Sequence, residues 1–332
     1  MAKIQIPEAL KEDVPKTPWG KVLTATPVIM TVIATMLAGL ASSEMTRAQY
    51  DRALAAQQQS KAGDQWSFFQ AKRLRGAVQQ NTYELLQATT EVHPFTPARA
   101  LDLAGKVTGR QAQSGLQELK SILTAEENRA ALEQFERIEL KLPPSGTAMT
   151  EPIKTAIAAV ENSRPDSELA EALSAIDAKA LEAALEDGRI YVKNLDNASQ
   201  PVNQLISKLE KVLNQFTPMG DGKVESTDPA VSLRRDFTAT RLRFTAQRYE
   251  AEARANQNIA GLYELQVRKS NISASRHHAR SQRFFYGMLA AQAAVIIATF
   301  AIAARQRNLL WSLAAAAGVA AIALAIYVYV FV

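Results

Sequence analysis

Cysteine is absent from the 332 residues and histidine occurs only three times. The first absence excludes a disulfide framework and every metal site built on thiolates. The second leaves His93, His277 and His278, of which the last two are adjacent. Neighbouring side chains on a helix diverge, so this pair does not converge on one metal, and neither a metal nor a cofactor is expected. A phosphate loop is also missing: Met219-Gly-Asp-Gly-Lys223 lacks the Gly-Lys-Ser/Thr ending and the repeated acids of a calcium loop, and reads as a turn. Acid pairs such as Glu126/Glu127 and Glu250/Glu252 stand among Arg and Lys, as on a solvated helix face. No nucleophile and base can be paired by spacing, so the chain is not read as an enzyme. Strand signals are scarce, Arg189–Lys193 (RIYVK) being the only β-prone patch.

What the sequence has is long apolar runs. The first span is placed at 22–42, and Val22 to Ala41 are twenty residues without a charge. A helix of that length covers about 30 Å, the thickness of a bilayer's hydrocarbon core. Pro27 falls in its second turn, where a missing N–H costs little. A secretory signal peptide is the rival reading, disfavoured because the run exceeds a usual apolar core and its leader is mixed in charge. Two further runs, 284–304 and 309–332, flank Arg305-Gln306-Arg307-Asn308 and form a hairpin. The chain is therefore expected to be an all-α membrane protein with three transmembrane helices. None of the three contains Asp, Glu, Lys, Arg or His, the groups from which ion pathways are usually built.

Small residues recur at four-residue spacing within the spans: Ala34 and Ala38, Gly287 and Ala291, Ala314 and Gly318. That spacing lets helices approach closely, either inside the chain or between copies. Counts of Lys and Arg near the span ends almost tie. Lys16 and Lys21 before the first span and Glu44 after it favour a cytoplasmic N-terminus and a periplasmic polar middle. From Leu265 onward there are seven basic residues and no acid. Arg276, Arg280 and Arg283 among them are candidates for lipid headgroups. This juxtamembrane excess, without interleaved aromatics, argues against nucleic acid.

After the N-terminal tail, 1–21, and the first span, residues 43–92 are helix formers without proline, and 232–283 match them. Each run adjoins a span and the two travel in opposite directions, so an antiparallel, coiled-coil-like stalk is expected. Its packing residues are read as Trp66, Phe69, Leu74, Phe237, Phe244, Ile259 and Leu262. Residues 93–231 are punctuated by proline, Pro201 included, and read as a small helical tip domain with a linker near 219–228. Thr124 and Glu127 form a capping box for the segment Ala125–Glu139, and a break at Pro201 separates Asp166–Asp196 from Gln200–Phe216.

Three stretches carry a family resemblance: Asp64-Gln65-Trp66-Ser67-Phe68-Phe69-Gln70-Ala71-Lys72, Arg248-Tyr249-Glu250-Ala251-Glu252, and His277-His278 before the span hairpin. They resemble the bacterial membrane proteins termed domain of unknown function 4337. The likeness covers roughly 20–90 and 240–332, with 93–231 as an insertion, and Phe69 stands where members often have Tyr. It implies a bacterial inner-membrane protein with one-plus-two span order, and brings no activity. The expectation for function is a non-enzymatic scaffold or accessory subunit, a homo-oligomer or part of a membrane-protein complex, held among membrane lipids. The alternative is a transport or channel component with a pore formed between copies.

Overall fold

The computed structural model describes residues 18–143, 149–162, 164, 166–216, 228–303 and 307–331. Nine α-helices are present among them and no strand: α1 Pro18–Thr89, α2 Pro97–Lys106, α3 Arg110–Thr124, α4 Glu126–Arg137, α5 Glu151–Glu161, α6 Asp166–Ser174, α7 Ala178–Leu213, α8 Pro229–Ala303 and α9 Arg307–Phe331. Three of these, α1, α8 and α9, are long and apolar enough to cross a membrane. The chain divides into two compact units, one of residues Met1–Gln57 with Val267–Val332 and one of Gln58–Gln266. The expected linker near 219–228 and most of the N-terminal tail lie outside the described residues.

In the first unit α1, α8 and α9 share a core of Met30, Ala34, Leu37, Ala41, Phe284, Ala291, Ala294, Ala321 and Val328. Small residues at the contacts bring the backbones together. The position where a Cβ would stand on Gly287 is 3.4 Å from Leu37 Cδ1 and 3.6 Å from the Ala321 carbonyl oxygen, and that on Gly318 is 3.1 Å from Met30 Sδ. Large side chains such as Val28, Met36, Ile296, Phe300 and Val319 face outward, as suits a lipid-exposed surface. Pro27 sits inside α1, and the Thr31 hydroxyl donates to its carbonyl at 2.8 Å.

In the second unit the short helices and α7 enclose a core with α8. Phe95, Phe135, Phe237 and Phe244 form its centre, with ring centroids 5.7 to 6.2 Å apart. Edge and tilted packing of this kind suits the ring quadrupoles. Prolines act where they fit a first helical turn: Pro97 opens α2 behind the Thr96 cap, whose hydroxyl accepts from Arg99 N at 3.3 Å.

Two local expectations are corrected. Pro201 lies inside α7, which is continuous from Ala178 to Leu213. That helix buries Leu195, Val202, Leu205, Leu209 and Val212 along one face, and this packing outweighs the lost hydrogen bond. The RIYVK patch, which lies in the amphipathic segment Asp166–Asp196, is helical within α7 as an all-α fold requires, with Tyr191 and Val192 packed on the core. The capping box does not form: Thr124 ends α3 and its hydroxyl turns back to the Lys120 carbonyl at 2.8 Å, while Ala125 caps α4 without a side-chain bond.

Candidate functional site

α1 and α8 run antiparallel in each unit, and their seams are made of small residues spaced seven apart. On α1 these are Ala34, Ala41, Ala48, Ala55 and Ala62, continued by half-buried Phe69, then Gly76 and Tyr83. On α8 they are Ala239, Ala246, Ala253, Ala260, Val267, Ala274 and Ser281. A seven-residue repeat keeps one face of a helix against its neighbour, and alanine there allows a close approach.

Close backbones bring polar side chains into contact, and in the second unit these form a network. Trp66 Nε1 donates to Glu264 Oε1 at 2.7 Å, and its ring meets Phe69 edge-on at 5.4 Å. Lys72 Nζ is 2.5 Å from Glu252 Oε2 and lies over the Tyr249 ring, which Arg248 also covers at 4.8 Å. Arg248 bonds Asn203 Oδ1 at 2.6 Å, so the network reaches α7. The Cβ position of Gly76 is 3.4 Å from Tyr249 Cβ and 3.5 Å from the Ala246 carbonyl oxygen, so a small residue here brings the two backbones close. Arg243 lies over Tyr83 at 5.3 Å.

The turn after α1 is held by one buried acid. Asp236 Oδ1 accepts from His93 N at 3.0 Å and Oδ2 from Arg99 Nε at 2.9 Å. Beside it Thr240 Oγ1 accepts from Phe95 N at 3.4 Å. On α7, Arg189 donates to the Tyr263 hydroxyl, and this bond raises the guanidinium above its ordinary pKa. In the first unit His277 Nδ1 is 2.5 Å from Glu44 Oε2, and the Ser281 hydroxyl donates to the Ala41 carbonyl at 2.7 Å. No group of three or more metal-ligating side chains occurs among the described residues.

Two clefts open in the second unit. One of about 790 Å³ is lined by apolar Leu140, Leu142, Ala184, Ala255 and Leu262 together with charged Asp187, Glu250 and Arg254. The other, of about 670 Å³, lies beside Phe69, Gly76 and Arg243.

The expected stalk residues divide. Trp66 bonds Glu264 on the opposite arm, and Phe69 lines the smaller cleft together with Arg243, Ala246 and Ala253. Leu74 is instead 67% exposed, with Val78 at 51% and Leu85 at 65%. Phe237, Phe244, Ile259 and Leu262 are buried, but on the side of α8 that faces the shorter helices: the two phenylalanines join Phe95 and Phe135, Ile259 lies against Gly188, and Leu262 lines the larger cleft. The residues of α8 that face α1 here, Ala239, Leu242 and Tyr249 among them, were not singled out. Of the span residues, Ala34, Gly287, Ala291, Ala314 and Gly318 are buried within the chain and Ala38 is half-buried. Arg276 is exposed, Arg280 is half-buried, and Arg283 lies over the Tyr327 ring at 5.5 Å.

Two of the three stretches that carry the family resemblance, 64–72 and 248–252, thus touch one another through Lys72 and Glu252. Residues 19–124 match the family described as a domain of unknown function (DUF4337). The matched stretch holds nearly all of α1 together with α2 and α3, so it runs past residue 93 into the segment read as an insertion, and 240–332 fall outside it. No curated protein and no solved structure matches the chain.

Proposed function

We infer that this chain is a non-enzymatic scaffold or accessory subunit of a membrane, assembled as an oligomer or within a larger membrane complex. The observation that carries this reading is the pairing of three helices able to cross a bilayer with an exposed apolar face on α1 in the second unit, at Leu74, Val78 and Leu85. Large aliphatic side chains lined up on a helix and left open mark a surface for another protein. The polar groups of that unit support the same reading, since Lys72, Glu252, Trp66, Glu264, Arg99 and Asp236 tie one helix to another. Lys16 and Lys21 ahead of the first span favour a cytoplasmic N-terminus and a periplasmic 43–283 region in a bacterial inner membrane. Arg276, Arg280 and Arg283 supply cations for anionic headgroups.

A pore between copies draws less support, because Ala34, Gly287, Ala291, Ala314 and Gly318 are spent on packing within the chain. The test is extraction in mild detergent followed by native mass measurement. A mass above that of one 36.2 kDa chain is expected, from further copies or another subunit. A lone monomer overturns the reading, and flux across liposomes containing the protein would favour the pore instead.

A further inference from the structure

The outer face of α1 carries a second repeat. Ala71, Leu74, Val78, Asn81, Leu85 and Ala88 are all exposed and alternate three and four residues apart, which is the a and d spacing of a coiled coil. The inner seam of the same stretch, Phe69, Gly76 and Tyr83, lies on the opposite side at about 100° per residue. The helix between residues 69 and 88 therefore has two apolar edges, and only the inner one is covered among the described residues.

We propose that the outer strip pairs with the same strip of a second copy of this chain, parallel and in register. This rests on the scaffold reading above and names the surface through which copies meet. The occupant follows from the layers the strip would form. In register, Leu74, Val78 and Leu85 each meet their own counterpart, and Asn81 meets Asn81. Asn81 falls at a d position of the repeat, where two facing amides can each donate to and accept from the other, so the in-register parallel pairing leaves neither unsatisfied. Run antiparallel, with Leu74 opposite Leu85 and Ala71 opposite Ala88, the same strip places Asn81 against Val78 and leaves the amide unpaired in an apolar layer. The flanks agree with the parallel pairing. Gln70 comes opposite Arg75, Ala77 opposite Thr82 and Glu84 opposite Thr89, so no like charges meet.

The absence of cysteine makes the test direct, because one introduced thiol is the only thiol present. Leu74→Cys, Leu85→Cys and, as a control on an exposed position off the strip, Gln87→Cys are placed singly in the full chain. Each is oxidised in native membranes. The proposal expects a reducible band at twice the 36.2 kDa chain mass for both strip positions, about fivefold or more over the control. Equal yields at all three positions overturn it. So does a Leu74–Leu85 cross-link in membranes holding both variants without the homotypic ones, which marks antiparallel pairing, and so does a cross-link to a different protein. A Leu74→Asp/Leu85→Asp variant, whose changes are exposed and whose helicity is checked by circular dichroism, is expected to lower the native mass. Should the variant keep the parent's oligomeric mass, the strip is not the contact while the scaffold reading stands; a monomeric parent removes that reading itself.

Discussion

Replacing Asp236 should loosen the second unit more than any exposed substitution, and the size of the effect can be worked from its contacts. Its side chain is almost fully buried, and its two oxygens serve two different elements, the backbone N–H of His93 at 3.0 Å and Arg99 Nε at 2.9 Å. A hydrogen bond to a charged group contributes about 1.5 to 3 kcal/mol. The Arg99 pair is partly screened, because that side chain is 35% exposed, and counts for about 1 kcal/mol. Asp236→Ala removes both and is expected to cost about 3 kcal/mol. Asp236→Asn keeps an acceptor for His93 N but turns an amide towards the guanidinium, for a cost of about 1 to 2 kcal/mol. For a unit of this size each kcal/mol moves the midpoint by about 2 to 4 °C, so the alanine variant should melt about 6 to 12 °C lower. Thermal unfolding in detergent, followed by far-UV circular dichroism, reads this. Limited proteolysis should also find the 90–96 turn opened in the alanine variant. A midpoint unchanged in Asp236→Ala, or lowered equally by both variants, would refute the assignment of the buried carboxylate as the clasp of that turn.

Two further sets of substitutions test the seams. Ala294→Leu puts a large side chain at a fully buried position between the apolar helices and should cost about 1 to 3 kcal/mol through overpacking. Ile296→Leu, at an outward-facing position, should leave the melting midpoint in detergent unchanged, and equal stability of the two would contradict the close approach. Lys72→Met and Glu252→Gln, measured singly and together, should show a coupling of about 1 kcal/mol, the upper end for a partly exposed pair. Additive effects would mean that the 2.5 Å contact adds nothing between the arms.

Fold class was legible because its signals are long. Twenty uncharged residues, a second and third apolar run, and fifty residues without proline leave few alternatives to helices. The internal breaks were less legible because proline is ambiguous. Pro97 and Pro229 open helices, where their missing N–H is harmless, whereas Pro201 sits inside α7. What decides its case is the row of buried leucines and valines on either side, a tertiary term that the local sequence expresses only as ordinary amphipathic spacing.

The contacts between the arms were misread for a more instructive reason. Bulky side chains at helical spacing point to a seam, and that criterion puts Leu74 in it. Yet where the packing between the arms is tightest, Gly76 lies against Ala246 and Tyr249, and Tyr83 packs with Ala239 and Leu242, while buried alanines recur every seven residues along both helices. A seam of alanines seven apart signals close helices as plainly as leucines do, but alanine is common on every face of a helix-rich chain, so the repeat stands out only when its strict period is counted. Moving Leu74, Val78 and Leu85 out of the inner seam leaves each of them more than half exposed among the described residues. Three large aliphatic groups held open in heptad spacing are unfavourable in water. Their retention on a helix whose other face is already packed is the physical reason to look for the contact outside the chain.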